Sequence, residues 1–298
     1  MRIDAGLSGF SDFAECRDSR DVQSDALSGR VHMAAAIRAG LSPVLHQHSR
    51  YVPTASSGGR IAALIADLPF MHRARKPGEY LFRAGDTFHS FYVLHAGFAR
   101  TCYTSEDGRE QTTGLHLRGD ILGLDAVASG THGSDAVALD ACDVLTIPYD
   151  FVIACSLHNP ALVRELYHAF SAEIRGDRDL MLNMRSLPAA GRVAAFLLEM
   201  SLRFSSRGFS ATQLQMRLTR QEIGSMLGLE LETVSRAFSR FARLGLITVC
   251  LRQIALLDCD GLLDIIAEPA GARRDRKNSG SQNFFGGSHH LRRVVAAL

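Results

Sequence analysis

Apolar and polar positions follow three different periods along this chain. Between residues 80 and 145 the apolar residues fall in short β-prone runs, cut by Ala84-Gly85-Asp86, Asp107-Gly108 and Arg118-Gly119-Asp120. Turn chemistry at that spacing predicts a β-roll or barrel. Asp107-Gly108, lying between runs 98–104 and 110–116, predicts a hairpin with a two-residue loop, which needs positive φ at its centre. From 160 to 187 the period lengthens to one long helix broken only by Gly176, with Val163, Tyr167, Phe170, Ile174, Asp177, Met181 and Met184 alternating by four and three. That is a heptad seam, which needs a partner helix, and the same helix of a second subunit supplies one. Packing of the stripe on the chain's own β-roll is the competing reading.

A further helix is expected over 192–204, and two short ones around Gly228 in the segment 219–244. Thr219 and Glu222 have the spacing of a capping box. Ile223, Met226 and Leu227 give the first helix an apolar face, Gly228 supplies the permissive backbone for a reversal, and Leu229 is the apolar residue tucked inward. In the second helix Val234, Phe238 and Phe241 form the buried stripe, leaving Glu232, Ser235, Arg236, Ser239, Arg240 and Arg243 on the outside. Runs 246–249 and 254–257, separated by Arg252-Gln253, predict a hairpin after it, and 261–266 a terminal turn. A winged helix-turn-helix results. A helical hairpin with a solvated charged face is the plainer alternative.

In such a helix the N-terminal residues meet base edges and further cations reach phosphates. Arg236 can hold a guanine bidentately and Glu232 can accept from cytosine N4, each good pair supplying about 1–3 kcal/mol of discrimination, with Ser235 the less decisive reader. Thr219, Arg220, Gln221, Thr233, Ser239, Arg240 and Arg243 are the expected DNA-backbone contacts.

These residues carry a resemblance. Glu232-Thr233-Val234-Ser235-Arg236, with Gly119-Asp120-Ile121-Leu122-Gly123-Leu124-Asp125-Ala126, residues 173–179 and Arg207-Gly208-Phe209-Ser210, resembles the Crp/Fnr family of transcription regulators, in its FNR branch, over roughly residues 70–260. The resemblance implies an α+β chain. Its expected parts are an N-terminal extension over 1–60, a double-stranded, cyclic-nucleotide-binding-like β-roll over 61–158, a dimerisation helix over 159–188, a winged helix-turn-helix over 189–267 and a tail over 268–298. It implies a homodimer that reads an inverted repeat of double-stranded DNA similar to TTGAT–ATCAA. It also implies recruitment of RNA polymerase through loops 105–109 and 206–210, in genes of low-oxygen, nitrogen-oxide or energy metabolism. One departure is Glu230, where relatives usually carry Thr or Ser, a better helix cap.

In the parallel dimer so implied Asp177 faces its own copy. Two carboxylates in a partly dry interface repel unless one is protonated or paired with Arg175 or Arg178. Either this charge makes dimerisation conditional on a signal, or the helices splay there and water screens it.

The chain has 298 residues, 46% of them hydrophobic and 21% charged, enough for two modest domains with tails. Net charge is only +2, so affinity for nucleic acid must come from local arginines, here Arg217, Arg220, Arg236, Arg240 and Arg243. The extension 1–60, rich in Ser, Gly, Asp and Ala, lacks a sustained period beyond a short Ala-rich stretch at 31–39, and is expected to be mostly mobile. A lead-in helix is expected over 61–68. The tail, with Arg273, Arg274, Arg276 and Lys277 among Gly, Ser and Asn, has a composition that cannot pack.

The six cysteines, at 16, 102, 142, 155, 250 and 259, show no CxxC pairing, and no apolar run has membrane-helix length. A reduced bacterial cytoplasm, with no membrane, is the expectation. An FNR-type iron–sulfur cluster needs four thiolates. Only Cys16 lies in the extension, and by resemblance the roll's ligand position falls on Leu145, with Cys142 on the opposite strand face. No such cluster, no other metal and no resident cofactor are therefore expected, as in FixK-like members. Haem stays open among twelve histidines, notably His46, His48, His72 and His89. Cyclic nucleotide is disfavoured, because Gly133-Ser134-Asp135-Ala136 puts a carboxylate where the phosphate needs Arg. Cys155 and Cys250 are either redox-responsive or inert. A haem- or small-ligand-responsive sensor of the same family is the nearest alternative. A cupin-like metalloenzyme is the remote one, since His116 and His132 stand without the His-x-His set such sites need; no enzyme is expected.

Overall fold

A computed structural model of the chain describes residues 57–64 and 71–267. The expected mobile extension up to residue 56 and the expected tail, with Cys16, His46 and His48, lie outside the described residues.

The roll is built from two antiparallel sheets. One has the spatial order β1 (Met71–Arg75), β8 (Cys142–Pro148), β3 (Ser90–Ala96), β6 (Ile121–Leu122); the other β2 (Tyr80–Phe82), β7 (Asp135–Ala138), β4 (Ala99–Thr104), β5 (Glu110–His116). Alternation along β3 and β8 divides the apolar side chains between two cores. Tyr92, Leu94, Cys142 and Val144 point between the sheets, against Phe82, Ala99 and Ala136. Phe91, Val93, Leu145 and Ile147 point to the other face. There α1 (Ser57–Leu64), α3 (Tyr149–Ser156) and the long α4 (Pro160–Ser186) cover them through Ile61, Val152, Leu162 and Ala169. A single turn, α2 (Ala126–Ser129), precedes β7.

Several boundaries differ from those expected. The lead-in helix, expected from residue 61, already begins at Ser57 and is described as Ser57–Leu64, while 65–68 lie outside the described residues. It opens on two glycines, poor helix formers, because a Cβ on Gly58 would come within 2.6 Å of the Gly119 carbonyl oxygen; close packing on the roll overrides propensity. The hairpin at Asp107-Gly108 has a longer loop than two residues. Ser105 N donates to Arg109 O, Gly108 N donates to Ser105 O at 2.8 Å, and Gly108 takes φ 79°. That is a turn closed by one left-handed glycine, the geometry of a three-residue loop. The wing strands are β10 (Ile247–Cys250) and β11 (Gln253–Leu256), joined at Leu251-Arg252, with a third strand β9 (Gln213–Gln215) beside β11. Leu251 at that turn carries φ 54° and is 96% exposed. The turn thus sits one residue before the polar pair Arg252-Gln253, with a leucine in a glycine-like conformation.

Helix α4 runs unbroken through Gly176. Asn159 caps it, its side chain accepting from Ala161 N and Leu162 N, and Pro160 fills the first position, where its missing N–H costs nothing. Helix α5 (Ala189–Ser206) is buried on most sides. Its Val193, Phe196, Leu197, Met200 and Phe204 form the centre of a third core with α6 (Arg220–Leu227), α7 (Leu231–Arg243), the wing and α8 (Cys259–Ala267). Leu115 and Leu117 of the roll belong to that same core, so apolar packing is continuous from roll to wing.

Candidate nucleic-acid interface

The expected capping box is present. Thr219 Oγ1 accepts from Glu222 N at 3.2 Å while Glu222 Oε2 accepts from Thr219 N at 2.6 Å. Helix α6 ends on Gly228 with φ 63°, and Leu229 N donates back to Gly224 O at 2.8 Å. The bend is tight: a Cβ on Gly224 would meet the Leu229 carbonyl oxygen at 2.5 Å. This glycine, not only Gly228, fixes the angle between α6 and α7.

Helix α7 is held from one side by Val234, Phe238 and Phe241, none more than 3% exposed. Burying each such side chain is worth about 1.5–3 kcal/mol. The outer side carries Glu232 and Arg236, paired with each other across one turn and each 74% exposed. Ser235 is half-buried between them and the core, and Ser239, exposed, donates to the Ser235 carbonyl at 3.0 Å. Glu230 caps α7 without any side-chain hydrogen bond, as its carboxylate foreshadowed.

The expected backbone contacts divide. Thr219, Gln221 and Arg243 are exposed; Thr233 and Arg240 are half-buried. Arg220 lies over the Phe238 ring at 3.3 Å, and burial lowers its pKa to about 10. It pins α6 to α7, a role the charge pattern did not suggest.

The heptad seam of α4 also divides. Tyr167, Ile174 and Met181, one heptad apart, are 71, 59 and 51% exposed, and Asp177 is exposed beside them. Phe170 instead packs on the roll's outer core, Val163 is half-buried, and Met184 lies toward Gly228, 3.4 Å from where a Cβ there would stand. Phe170, Val163 and Met184 thus turn toward the subunit itself, while Tyr167, Ile174 and Met181 face outward.

In the roll, Asp135 Oδ1 accepts from Ala84 N at 2.8 Å and Asp125 Oδ2 from Gly133 N at 3.2 Å, so both carboxylates are structural acceptors. The buried His132 ring stacks on Phe82 at 3.8 Å. His72 meets Asp143 at 3.0 Å and stands edge-on to His95, and His89 is exposed. No grouping of His, Cys, Asp or Glu fit to hold a metal occurs among the described residues. Cys142, with its thiol donating to Phe98 O, is pushed up to about 11 by burial, and Cys102 to about 12. Neither is a thiolate near neutrality, and Cys142 faces the core opposite to that of Leu145. Among the described residues neither thiol stands in a group that could hold a metal. Cys155 is half-buried and Cys250 exposed.

Sequence reasoning missed the residues that join roll to reader. Arg203 Nη2 donates to Asp120 Oδ2 and to Leu115 O, and Arg207 pairs with Asp120 from the other side. Arg217 reaches Asp140, and Arg100 reaches Glu222. Only the spacing of Arg203 and Arg207, one turn apart at a helix end, was available as a signal.

The architecture is matched among known proteins. The cyclic nucleotide-binding domain family matches residues 72–158 and the Crp-like helix-turn-helix domain family residues 191–265. Transcriptional activator protein FnrA of Stutzerimonas stutzeri is 41% identical over 190 residues, covering 64% of this chain and 78% of that protein. The chain belongs to the Crp/Fnr family. The fumarate and nitrate reduction regulatory protein of Salmonella typhimurium is 39% identical over 185 residues, 62% of this chain and 74% of the relative. The solved structure of FixK2 from Bradyrhizobium japonicum superposes with a TM-score of 0.62 at 29% identity, over 68% of this chain and all of that one. As a Crp/Fnr member the protein is a transcription regulator with a DNA-binding helix-turn-helix, and not an enzyme. No helix among the described residues is long and apolar enough to cross a membrane.

Proposed function

We propose that the protein acts as a homodimer that reads an inverted repeat resembling TTGAT–ATCAA and recruits RNA polymerase. The carrying observation is the outward pair Glu232 and Arg236, each 74% exposed on a helix whose other face is buried. A solvated surface helix has no need of a reading pair presented at its first turns, where a recognition helix meets base edges. The exposed row Tyr167, Ile174 and Met181 supports pairing of α4 with its copy, since apolar residues at seven-residue spacing are a coiled-coil seam. Two such readers would address half-sites about one helical turn, roughly 34 Å, apart.

Loops 105–109 and 206–210 are the proposed polymerase contacts, and their exposed residues Glu106, Asp107, Arg109 and Phe209 suit that role. Relatives named as an anaerobic regulatory protein of Haemophilus influenzae and as fumarate and nitrate reduction regulators support a place in low-oxygen or energy metabolism. Signalling here does not use an FNR-type cluster, because Leu145 stands at the roll position and the nearby Cys142 faces away. Cyclic nucleotide is not the effector either, with Asp135 where its phosphate would need a cation.

Nuclease footprinting on a duplex carrying the repeat tests the reading. Protection of both half-sites in phase is expected; protection that ignores the repeat would reject it.

A further inference from the structure

Strand β5 is an edge strand of its sheet, yet its outer backbone is not left to water. Thr112, 2% exposed, donates its N–H to Ser225 Oγ of helix α6 at 2.9 Å, and the same hydroxyl donates to Glu110 O at 3.4 Å. One serine on the reader thus occupies the free edge of the sensor sheet, a row that otherwise offers unpaired groups.

Arg100, on the neighbouring strand β4, completes the contact. Its side chain is only 13% exposed, and it bridges Glu110 at 2.7 Å and Glu222 at 3.1 Å. Glu222 is the carboxylate that closes the capping box of α6, so the hairpin grips the first turn of the reader through a group that also defines where that helix begins. The apolar contacts of Leu115 and Leu117 with the same core are non-directional and permit sliding. A planar guanidinium fork and a hydroxyl paired to backbone do not, since their strength falls with angle. The grip is on α6, and it leaves Glu232 and Arg236 of α7 open.

We infer that Arg100 and Ser225 are positioning residues, through which the β4–β5 hairpin holds each helix-turn-helix at the angle that sets the distance between the two half-sites a dimer reads. This rests on the DNA-reading proposal above. Neither residue touches DNA in this account; each acts through α6.

The test uses the full chain and duplexes whose half-sites are moved apart one base pair at a time. Wild type is expected to prefer one spacing. In Arg100→Met and in Ser225→Ala the affinity ratio between best and neighbouring spacings should fall by roughly fivefold or more, the size of an ordinary coupling between sites. Discrimination between correct and scrambled half-sites should stay at the wild-type value. Arg100→Lys, which keeps charge without the fork, should recover part of the ratio. Ser225→Ala removes a single hydroxyl and carries the test if Arg100→Met fails to fold. Variants that keep the wild-type spacing ratio, whatever their melting temperature or overall affinity, would overturn the inference. Wild type indifferent to half-site sequence would bring down the DNA-reading proposal and this one with it, whereas wild type selective for sequence but not for spacing would overturn this one alone.

Discussion

The Arg236 guanidinium rests on the Glu232 carboxylate one turn earlier, and both side chains remain 74% open to solvent. An exposed pair of this kind contributes little to stability, about 0.3–0.5 kcal/mol for neighbours on a helix. In the proposed reading the pairing would hold a donor fork and an acceptor in mutual register at the start of α7, so that less rotamer freedom is lost when a base edge arrives.

Arg236→Ala is therefore expected to cost about 1–3 kcal/mol on the inverted repeat and little on random duplex. Arg240→Ala should instead weaken every sequence alike and reduce the slope of log affinity against log salt by about one. Titrations at several salt concentrations separate the two; equal losses on both duplexes for Arg236→Ala would remove it from the reading set.

Gly224→Ala should lower stability by about 1–3 kcal/mol, the usual cost of an inserted methyl group. Its Cβ would stand 2.5 Å from the Leu229 carbonyl oxygen, which is backbone and cannot swing aside. Urea denaturation measures the loss, and an unchanged midpoint would show that the α6–α7 turn has slack.

Asp177→Ala should strengthen self-association. Asp177 is exposed one turn from Ile174 and from Met181, so pairing of α4 with its copy would bring two carboxylates together at a cost that alanine removes. Sedimentation equilibrium gives the dimer constant for each form. No gain would mean that the charge does not oppose pairing.

The contribution of His116 to stability should be lost as pH drops from about 6.5 toward 4, whereas Glu173, whose carboxyl burial and Asp177 push up to about 7, contributes in the opposite sense. Burial pushes His116 from its ordinary value of 6.5 down to about 4; Asp120 pulls the other way, and Arg203 and Arg207 add to the depression. The neutral ring belongs to the folded state and the unfolded chain takes up the proton first, so this contribution is complete above the unfolded pKa and is lost on acidification. Asp120 follows at lower pH: burial opposes its charge, but Arg203 and Arg207 outweigh that and hold its carboxyl below the usual range. Across this range the denaturation midpoint of wild type should fall relative to that of His116→Gln, and an unchanged difference between the two would remove His116 from the account.

Local chemistry carried much of this in advance. The capping box at Thr219 and the stripe of Val234, Phe238 and Phe241 depend on residues within a few positions of one another, and each was legible from spacing. Boundaries that depend on distant partners were not. Helix α1 starts at Ser57 because Gly58 packs against the Gly119 backbone, and β9 exists because β11 pairs with it. The same holds for function: Glu232 and Arg236 stand out on one helix face, whereas Arg100 and Glu222, 3.1 Å apart, are separated by more than a hundred residues and share no local signal. The charge of Arg220 is visible in sequence, and the Phe238 ring beneath it is not.

The central claim is that two outward-facing carboxylate–guanidinium pairs, one per subunit, recognise a palindrome. Fluorescence anisotropy of wild type on the inverted repeat and on a duplex of equal length with scrambled half-sites tests it most directly. Specific recognition predicts an affinity ratio of at least about a thousandfold at physiological salt, one dimer per duplex, and collapse of that ratio in Arg236→Ala. Equal affinity for the two duplexes would contradict it.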